Sequence, residues 1–432
     1  MKPRLAGIAT ALLLVIAPGM AAETPAALAT RLLDQLDAGL YSEAEASFST
    51  QMKAAVPADK LKAVWESLPA QMGAAGQRGQ ARTSEADDHR IVVIPLNYAN
   101  GQLQARVALD QNDKIAGFLL QPAAAAPAAA PASDANFNEQ PFTVPGSAPG
   151  KAGLPGTLAL PKGKGPFPAV VLVHGSGPQD RDETIGPNRP FLDIARGLAA
   201  QGIAVLRYDK RTHARPQDFK GSFSIDDETT DDAVAAIDVL AGTAGIDARH
   251  IYLLGHSQGG LLAGRIAKAS QGKLAGLVLL AAPARPLLDL LAEQNRYMVS
   301  LDGNISTEEQ AHLEALDAAI AAVRSNPDAR LMETPGRFWQ QLEQVDPIAD
   351  VRDSQLPALL LQGGRDFQVV DADWQRWNQG LSGDRYRFHH YPALNHLGIA
   401  GEGKSSLEEY ARPGHVDATL INDIAHWLKA QP

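Results

Sequence analysis

Gly255-His256-Ser257-Gln258-Gly259 reads G-x-S-x-G and carries the clearest chemical signal in the chain. An apolar run, Ile251-Tyr252-Leu253-Leu254, leads into it, and a helical pattern from Gly260 to Ala267 follows. Strand, sharp turn and helix are the setting of a nucleophile elbow, in which a serine hydroxyl is lifted to the top of a sheet. Glycines belong there because the turn is tight and a side chain would strike the neighbouring strand or helix. With 38 glycines in 432 residues the bare pattern is weak, so its meaning depends on partners.

A serine hydroxyl is a poor nucleophile at neutral pH. It needs a base within hydrogen-bond reach, and the base needs an orienting acid. The elbow arrangement takes these in the chain order serine, acid, histidine. Downstream, Leu359-Leu360-Leu361-Gln362-Gly363-Gly364-Arg365-Asp366 ends an apolar run in a Gly-Gly turn followed by a carboxylate. Asp366 is the candidate acid. Asp371 and Asp373 are rivals, but they fall at the start of the next helix, where a carboxylate stabilises the N-terminus. Tyr391-Pro392-Ala393-Leu394-Asn395-His396 places His396 in a loop after the last strand, as the candidate base. His389 and His390 read as structural strand residues, and His415 and His426 go with the final helix. A neutral imidazole is required of the base, so activity is expected to fall as pH drops through its pKa.

An oxyanion hole takes two backbone N–H donors. One is expected from Gln258, directly after the nucleophile. The other belongs to the loop His174-Gly175-Ser176-Gly177-Pro178, with Ser176 the first choice and Gly177 the second. His174 reads as a buried histidine bracing that loop. Farther along, Arg181 stands among Asp180, Asp182 and Glu183, where a bidentate pairing would fix the loop and a solvated surface is the plainer reading.

The elements that must hold these groups alternate. Residues 169–173, 203–208, 251–254, 276–281, 357–361 and 385–391 read as strands. Between them, 191–200, 226–240 and 415–429 read as helices. Continuous apolar strands between helices mean a mostly parallel sheet covered on both faces, an α/β architecture. Residues 285–352 show no strand pattern. Ser306-Thr307-Glu308-Glu309 resembles a capping box opening a helix to about Val323. This helical block interrupts the sheet where a lid would sit.

Ahead of this lies a small α+β module, residues 23–121. Leu28, Leu32, Leu36 and Leu40 suggest one helix, Phe48, Met52 and Val56 a second, and Leu61, Val64 and Trp65 a third. Three strand-like segments follow (90–98, 102–109 and 114–120), with Asn100-Gly101 as a hairpin signal. His89 reads as a solvated turn residue. An Ala/Pro-rich linker, 122–136, separates the module from the region 137–432.

Residues 1–22 read as a signal peptide. Lys2 and Arg4 precede an apolar stretch from Leu5 to Ile16, and small residues permit cleavage after Ala22. Export would put the protein in the periplasm or the medium. The net charge of −10 argues against nucleic acid and anionic membrane surfaces. With no cysteine, disulfides, thiolate metal sites and cysteine nucleophiles are excluded. The chemistry calls for no cofactor and no metal.

Residues 137–432 resemble the α/β-hydrolase superfamily, in its serine aminopeptidase-like and dienelactone-hydrolase-like branch. The string from His174 to Glu183, Arg207-Tyr208-Asp209-Lys210-Arg211 and Asn395-His396-Leu397 are similar to a bacterial carboxylesterase subgroup with an extra N-terminal domain. The resemblance implies an α/β-hydrolase fold preceded by a small cone-like α+β domain. It also implies Ser257, Asp366 and His396 as a triad and small-molecule carboxylic esters as substrates. A peptidase, amidase or thioesterase on the same triad is the alternative, and a non-catalytic envelope protein a more remote one. No membrane partner is expected after signal cleavage, and a homo-oligomer is compatible with the reading.

Overall fold

The computed structural model of the protein describes residues 23–86, 89–98, 101–122, 136–147 and 150–432. The chain forms two compact units that part at residues 123 and 124. Residues 1–22, read above as a signal peptide, and most of the linker lie outside the described residues.

The first unit opens with the helix Pro25–Asp37. Proline stands at its first position, and the Thr24 hydroxyl accepts from the Ala27 N–H at 3.2 Å. Leu28, Leu32 and Leu36 are buried on one face, whereas Leu40 lies beyond the helix and is exposed. The segment through Phe48, Met52 and Val56 is two short helices, Tyr41–Ala46 and Thr50–Ala55, because Ser49 caps the second. The helix Ala58–Met72 follows.

Strands β1 (Arg82–Ala86), β2 (His89–Tyr98), β3 (Gly101–Leu109) and β4 (Ile115–Pro122) then form an antiparallel meander in that order. β1 is one strand more than the apolar pattern suggests. It is a polar edge strand whose register, Arg82 opposite Val93 through Ala86 opposite His89, rests on backbone pairing. His89 accordingly starts a strand. β2 and β3 pair up to Tyr98 opposite Gly101, so the hairpin closes where expected, and Asn100 lies outside the described residues.

The strands of the second unit are β5 (Phe137–Val144), β6 (Leu154–Pro161), β7 (Phe167–Val173), β8 (Ala204–Tyr208), β9 (Ile246–His256), β10 (Gly276–Leu280), β11 (Arg330–Leu331), β12 (Thr334–Pro335), β13 (Ala358–Gly363) and β14 (Tyr386–Tyr391). Eight of them form one sheet in the order β14-β13-β10-β9-β7-β8-β6-β5. The pairs from β14 through β8 are parallel, and β6 meets β8 and β5 antiparallel. β5 and β6 escaped the apolar pattern because Pro141, Pro155 and Gly156 interrupt it. Proline is tolerated in β5 because that strand is at the edge.

Side chains alternate between two cores. Val171, Leu253, Leu279 and Leu360 face one, with Ile237, Ile266 and Trp377 of covering helices. Leu172, Leu254, Val278 and Leu361 face the other, with Phe191, Ile194 and Ile424. That period of two is what a doubly covered sheet requires. The helix 226–240 begins with a π-helical turn, Asp226–Thr230, and continues as Asp231–Ala241. The last helix is Ala418–Lys429, so His415 precedes it and pairs instead with Asp193 at 3.1 Å.

Between β10 and β13 the chain forms the helices Leu287–Val299, Thr307–Ser325, Gly336–Glu343 and Pro347–Ser354. The Ser306–Glu309 capping box is formed in both directions. The block also holds the tiny antiparallel ladder of β11 and β12, too short to leave a sequence pattern.

Candidate active site

β9 ends at His256, and Ser257 stands at the turn with φ 51° and ψ −119°, a conformation costly for a residue with a Cβ. Its N–H donates to the Leu280 carbonyl at 3.0 Å. The flanking glycines are required by contact. A Cβ on Gly255 would lie 2.3 Å from the Gly259 oxygen, and one on Gly259 would lie 2.3 Å from the Val173 oxygen. The helix behind the elbow is broken at Leu262 into Gln258–Leu261 and Ala263–Ala269.

Asp366 follows β13 and its side chain is completely buried. Oδ1 accepts from the N–H groups of Gln368 and Val369 at 2.8 and 2.9 Å. Oδ2 accepts from Gln362 Nε2 at 3.2 Å and lies 2.7 Å from His396 Nδ1. An ionised carboxylate only accepts, so this contact calls for the tautomer with the hydrogen on His396 Nδ1, which leaves the lone pair of a neutral ring at Nε2. The loop of His396 is fixed by its neighbour, since Asn395 Oδ1 accepts from Leu397 N and Ile399 N at 3.0 and 3.2 Å.

The rivals serve elsewhere. Asp373 is buried and does more than stabilise a helix start. It accepts from Ala284 N at 2.8 Å and pairs with Arg285 at 2.7 Å, anchoring the first residues of the helical insertion. Asp371 is exposed and lies 3.7 Å from His390. His389 contacts Asp423 at 3.2 Å, and His426 is exposed.

Ser257, Gln258, Ser176 and Gly177 line one cavity of about 410 Å³. A Cβ on Gly175 would sit 3.2 Å from the Ser257 Cβ, so the 174–178 loop runs directly beside the elbow. The Gly175 N–H is already engaged by Glu183 Oε1 at 2.7 Å. His174 is buried beneath the loop, its Nε2 3.0 Å from the Asp180 carbonyl. Burial, helped by the Lys210 charge, lowers its pKa from 6.5 to about 4 and keeps it neutral.

Arg181 is bidentate, but its partner is not one of the flanking carboxylates. Nε and Nη2 both donate to Asp209 at 2.8 Å, and Nη1 donates to the Gly156 carbonyl at 2.9 Å. Asp182 instead accepts from Arg207 at 2.7 Å. The charged loop is therefore clamped to the end of β8 and to β6.

Two buried ion pairs beside the elbow were not anticipated from the sequence. Glu183 Oε2 lies 2.9 Å from His256 Nδ1, and His256 Nε2 lies 3.0 Å from the His396 carbonyl oxygen. Burial opposes the charge on both groups. Their mutual attraction outweighs it, raising the His256 pKa and lowering that of Glu183. Lys210 and Glu228 form the second pair, both nearly inaccessible to solvent. Chain spacing does not reveal either pair. Only the unexplained charges of 180–183 and 207–211 hint at them.

Much of the remaining cavity wall is apolar and comes from the insertion, with Phe223, Pro283 and Val369 contributed from outside it. Leu287, Leu290 and Leu291 line it from the helix Leu287–Val299, Met332 from the turn of the β11–β12 ladder, and Phe338 and Trp339 from the helix Gly336–Glu343. Gln294 Nε2 donates to the Gln368 carbonyl at 2.9 Å, tying that first helix to the loop of Asp366.

Residues 166–402 match the family described as "Serine aminopeptidase, S33", and residues 29–118 match a family described as a protein of unknown function, DUF3887. The chain is 38% identical over 381 residues to the esterase EstD of Thermotoga maritima, covering 87% of this chain and 88% of that protein. It is 28% identical over 127 residues to a putative esterase, NocK, of Nocardia uniformis, covering 29% of this chain and 35% of that one. Among solved structures, a hyperthermophilic esterase from Pyrobaculum calidifontis aligns at 19% identity and a TM-score of 0.43, over 68% of this chain and 85% of that one. With an elbow serine, the family match over more than half its length and a relative similar almost end to end, the chain belongs to the serine aminopeptidase S33 family of the α/β hydrolases.

Proposed function

We propose that this protein hydrolyses carboxylic esters by a two-step acyl transfer through Ser257. The observation that carries the reading is the Asp366–His396 contact of 2.7 Å in a buried loop whose backbone is held by His256, the residue next to a strained elbow serine. In the first step His396 Nε2 takes the Ser257 proton as Oγ attacks the ester carbonyl. The N–H groups of Gln258 and Ser176 stabilise the oxyanion, with Gly177 next in line. His396 then protonates the departing alcohol, and water repeats the sequence on the acyl-enzyme. Asp366 holds the imidazole in its productive tautomer and stabilises its charged form.

An ester reading is favoured over an aminopeptidase by the cavity wall. Recognition of a substrate ammonium requires a free carboxylate. Glu228 is the carboxylate lining the cavity among the described residues, and it is paired with Lys210. Of the insertion's glutamates Glu293, Glu308, Glu309 and Glu343, none lines the cavity: Glu293 pairs with Arg285, Glu343 with Arg324, Glu309 closes the capping box and Glu308 is exposed. The insertion acts as the lid and supplies the acyl-side wall. Residues 1–22 direct export to the periplasm or medium, which N-terminal sequencing of the exported protein tests.

The decisive measurement is turnover of a p-nitrophenyl ester beside the matched aminoacyl anilide. Ser257→Ala is expected to lower ester kcat by at least about 10³-fold. Wild-type rates in Ser257→Ala would sink the triad, and anilide turnover exceeding ester turnover would favour the peptidase.

A further inference from the structure

The sequence Arg207-Tyr208-Asp209-Lys210-Arg211 spans the end of β8 and the residues after it, and takes no part in the chemistry described above. Lys210 is nonetheless nearly inaccessible, and its ammonium makes two contacts. It donates to the Gly175 carbonyl oxygen at 2.7 Å and pairs with the Glu228 carboxylate. The second oxygen of Glu228 accepts from Gln258 Nε2 at 2.8 Å. The Lys210 N–H also donates to the Gln179 carbonyl at 3.0 Å, so both ends of the 175–179 loop rest on one residue.

The Gly175 carbonyl and the Ser176 N–H belong to the same peptide group. In a trans peptide these two bonds point in opposite directions. A cation seated on the carbonyl oxygen therefore fixes the plane and turns the Ser176 N–H away from Lys210, into the cavity that Ser176 lines. It also draws electron density toward that oxygen, making the N–H a stronger donor. Glu228 acts on the other donor. By holding the Gln258 side chain it fixes the first residue of the elbow helix, whose N–H has no intrahelical partner.

We propose that the Lys210–Glu228 pair is the positioning device of the oxyanion hole, aiming the Ser176 and Gln258 donors together. This rests on the Ser257 acyl-transfer reading. A buried pair of this kind is a weak source of net stability, because desolvation offsets attraction. Its presence is better explained by the geometry it imposes.

The test uses the full chain. Lys210→Met alone strands a buried carboxylate, so the pair is replaced together as Lys210→Met/Glu228→Leu, and Glu228→Gln is made separately to keep an acceptor for Gln258. Each is assayed with an ester and with its thionoester, whose sulfur is a weaker acceptor and gains less from N–H donors. The expected result for the double variant is a kcat on the ester lowered about 10- to 100-fold with KM little changed. The ester-to-thionoester rate ratio should fall with it, while melting temperature and circular dichroism stay close to wild type. Glu228→Gln should show a smaller loss in the same direction.

A folded double variant that keeps ester kcat within about twofold of wild type overturns the proposal. So does an equal loss on both substrates, which marks a merely structural role. If the double variant does not fold, Glu228→Gln decides by the same ratio. Ser257→Ala, run alongside, separates the two levels. An inactive Ser257→Ala beside an unaffected Lys210–Glu228 variant refutes only the positioning role, whereas an active Ser257→Ala refutes the acyl-transfer reading itself.

Discussion

Two side chains show how much depends on a single protonation state. Asp366 has its other oxygen occupied by two backbone N–H groups, leaving Oδ2 for His396. Asp366→Asn keeps the shape but offers an amide that can donate, and so favours the wrong tautomer. Ester kcat is expected to fall by about 10³- to 10⁴-fold with little change in folding. A loss below tenfold in steady-state assays would remove the orienting role. His174 works through stability. Its folded pKa of about 4 lies below the unfolded value of 6.5, so the unfolded chain binds the extra proton. Its contribution is complete above pH 6.5 and is lost as pH falls toward 4, by about 3 kcal/mol. Glu183 and Asp180 favour protonation but are outweighed by burial and by Lys210. The difference in unfolding free energy between wild type and His174→Gln, measured in urea at pH 7 and pH 4, should shrink by that amount. A pH-independent difference would refute the assignment.

Elements matter here through their ends. Ser257, Asp366 and His396 all follow the carboxyl ends of parallel strands, where backbone leaves the sheet and side chains converge above its edge. The insertion between β10 and β13 is tied down at its start by Asp373, which holds both Ala284 N and Arg285. It is tied at its finish by Gly264, where a Cβ would lie 2.5 Å from the Asp350 backbone. What lies between supplies Leu287, Leu290, Leu291, Met332, Phe338 and Trp339 to the wall of the cavity. Trp339 is the bulkiest side chain lining that cavity, so Trp339→Ala is expected to shift the preferred acyl group toward longer chains. A panel of p-nitrophenyl esters of graded length measures this, and an unchanged profile would argue against an acyl pocket under the insertion.

At the scale of the whole molecule, each unit has its own core. Leu32, Leu36, Val107 and Leu109 belong to the first unit's cluster, and the sheet clusters of the second draw only on residues after 136. Residues 136–432 produced alone are therefore expected to melt cooperatively and to retain ester turnover. A broad, non-cooperative transition in calorimetry would show that the second core depends on the first unit. The net charge of −10 is compatible with small acyl esters as substrates and unfavourable for polyanions.

The sequence by itself determined the elbow, the chain order of the candidate serine, acid and histidine, and the parallel strands they follow. Each of these is a local matter: apolar runs make buried strands, glycines permit close approach, and a capping box opens a helix. It also determined the boundary at the Ala/Pro-rich segment, because such composition cannot build a core. β1 and β5 were illegible because polar or proline-bearing edge strands are fixed by a neighbour's backbone rather than by their own pattern, and β6, paired on both sides, was hidden by Pro155 and Gly156. Only the tertiary structure decided which charges meet. Arg181 finds Asp209 rather than its sequence neighbours, Glu183 finds His256, and Lys210 joins Gly175 to Glu228. Those pairings lie 18 to 73 residues apart in the chain. They form because burial makes an unpaired charge too costly to keep, and burial is a property of the folded sheet, not of any segment within it.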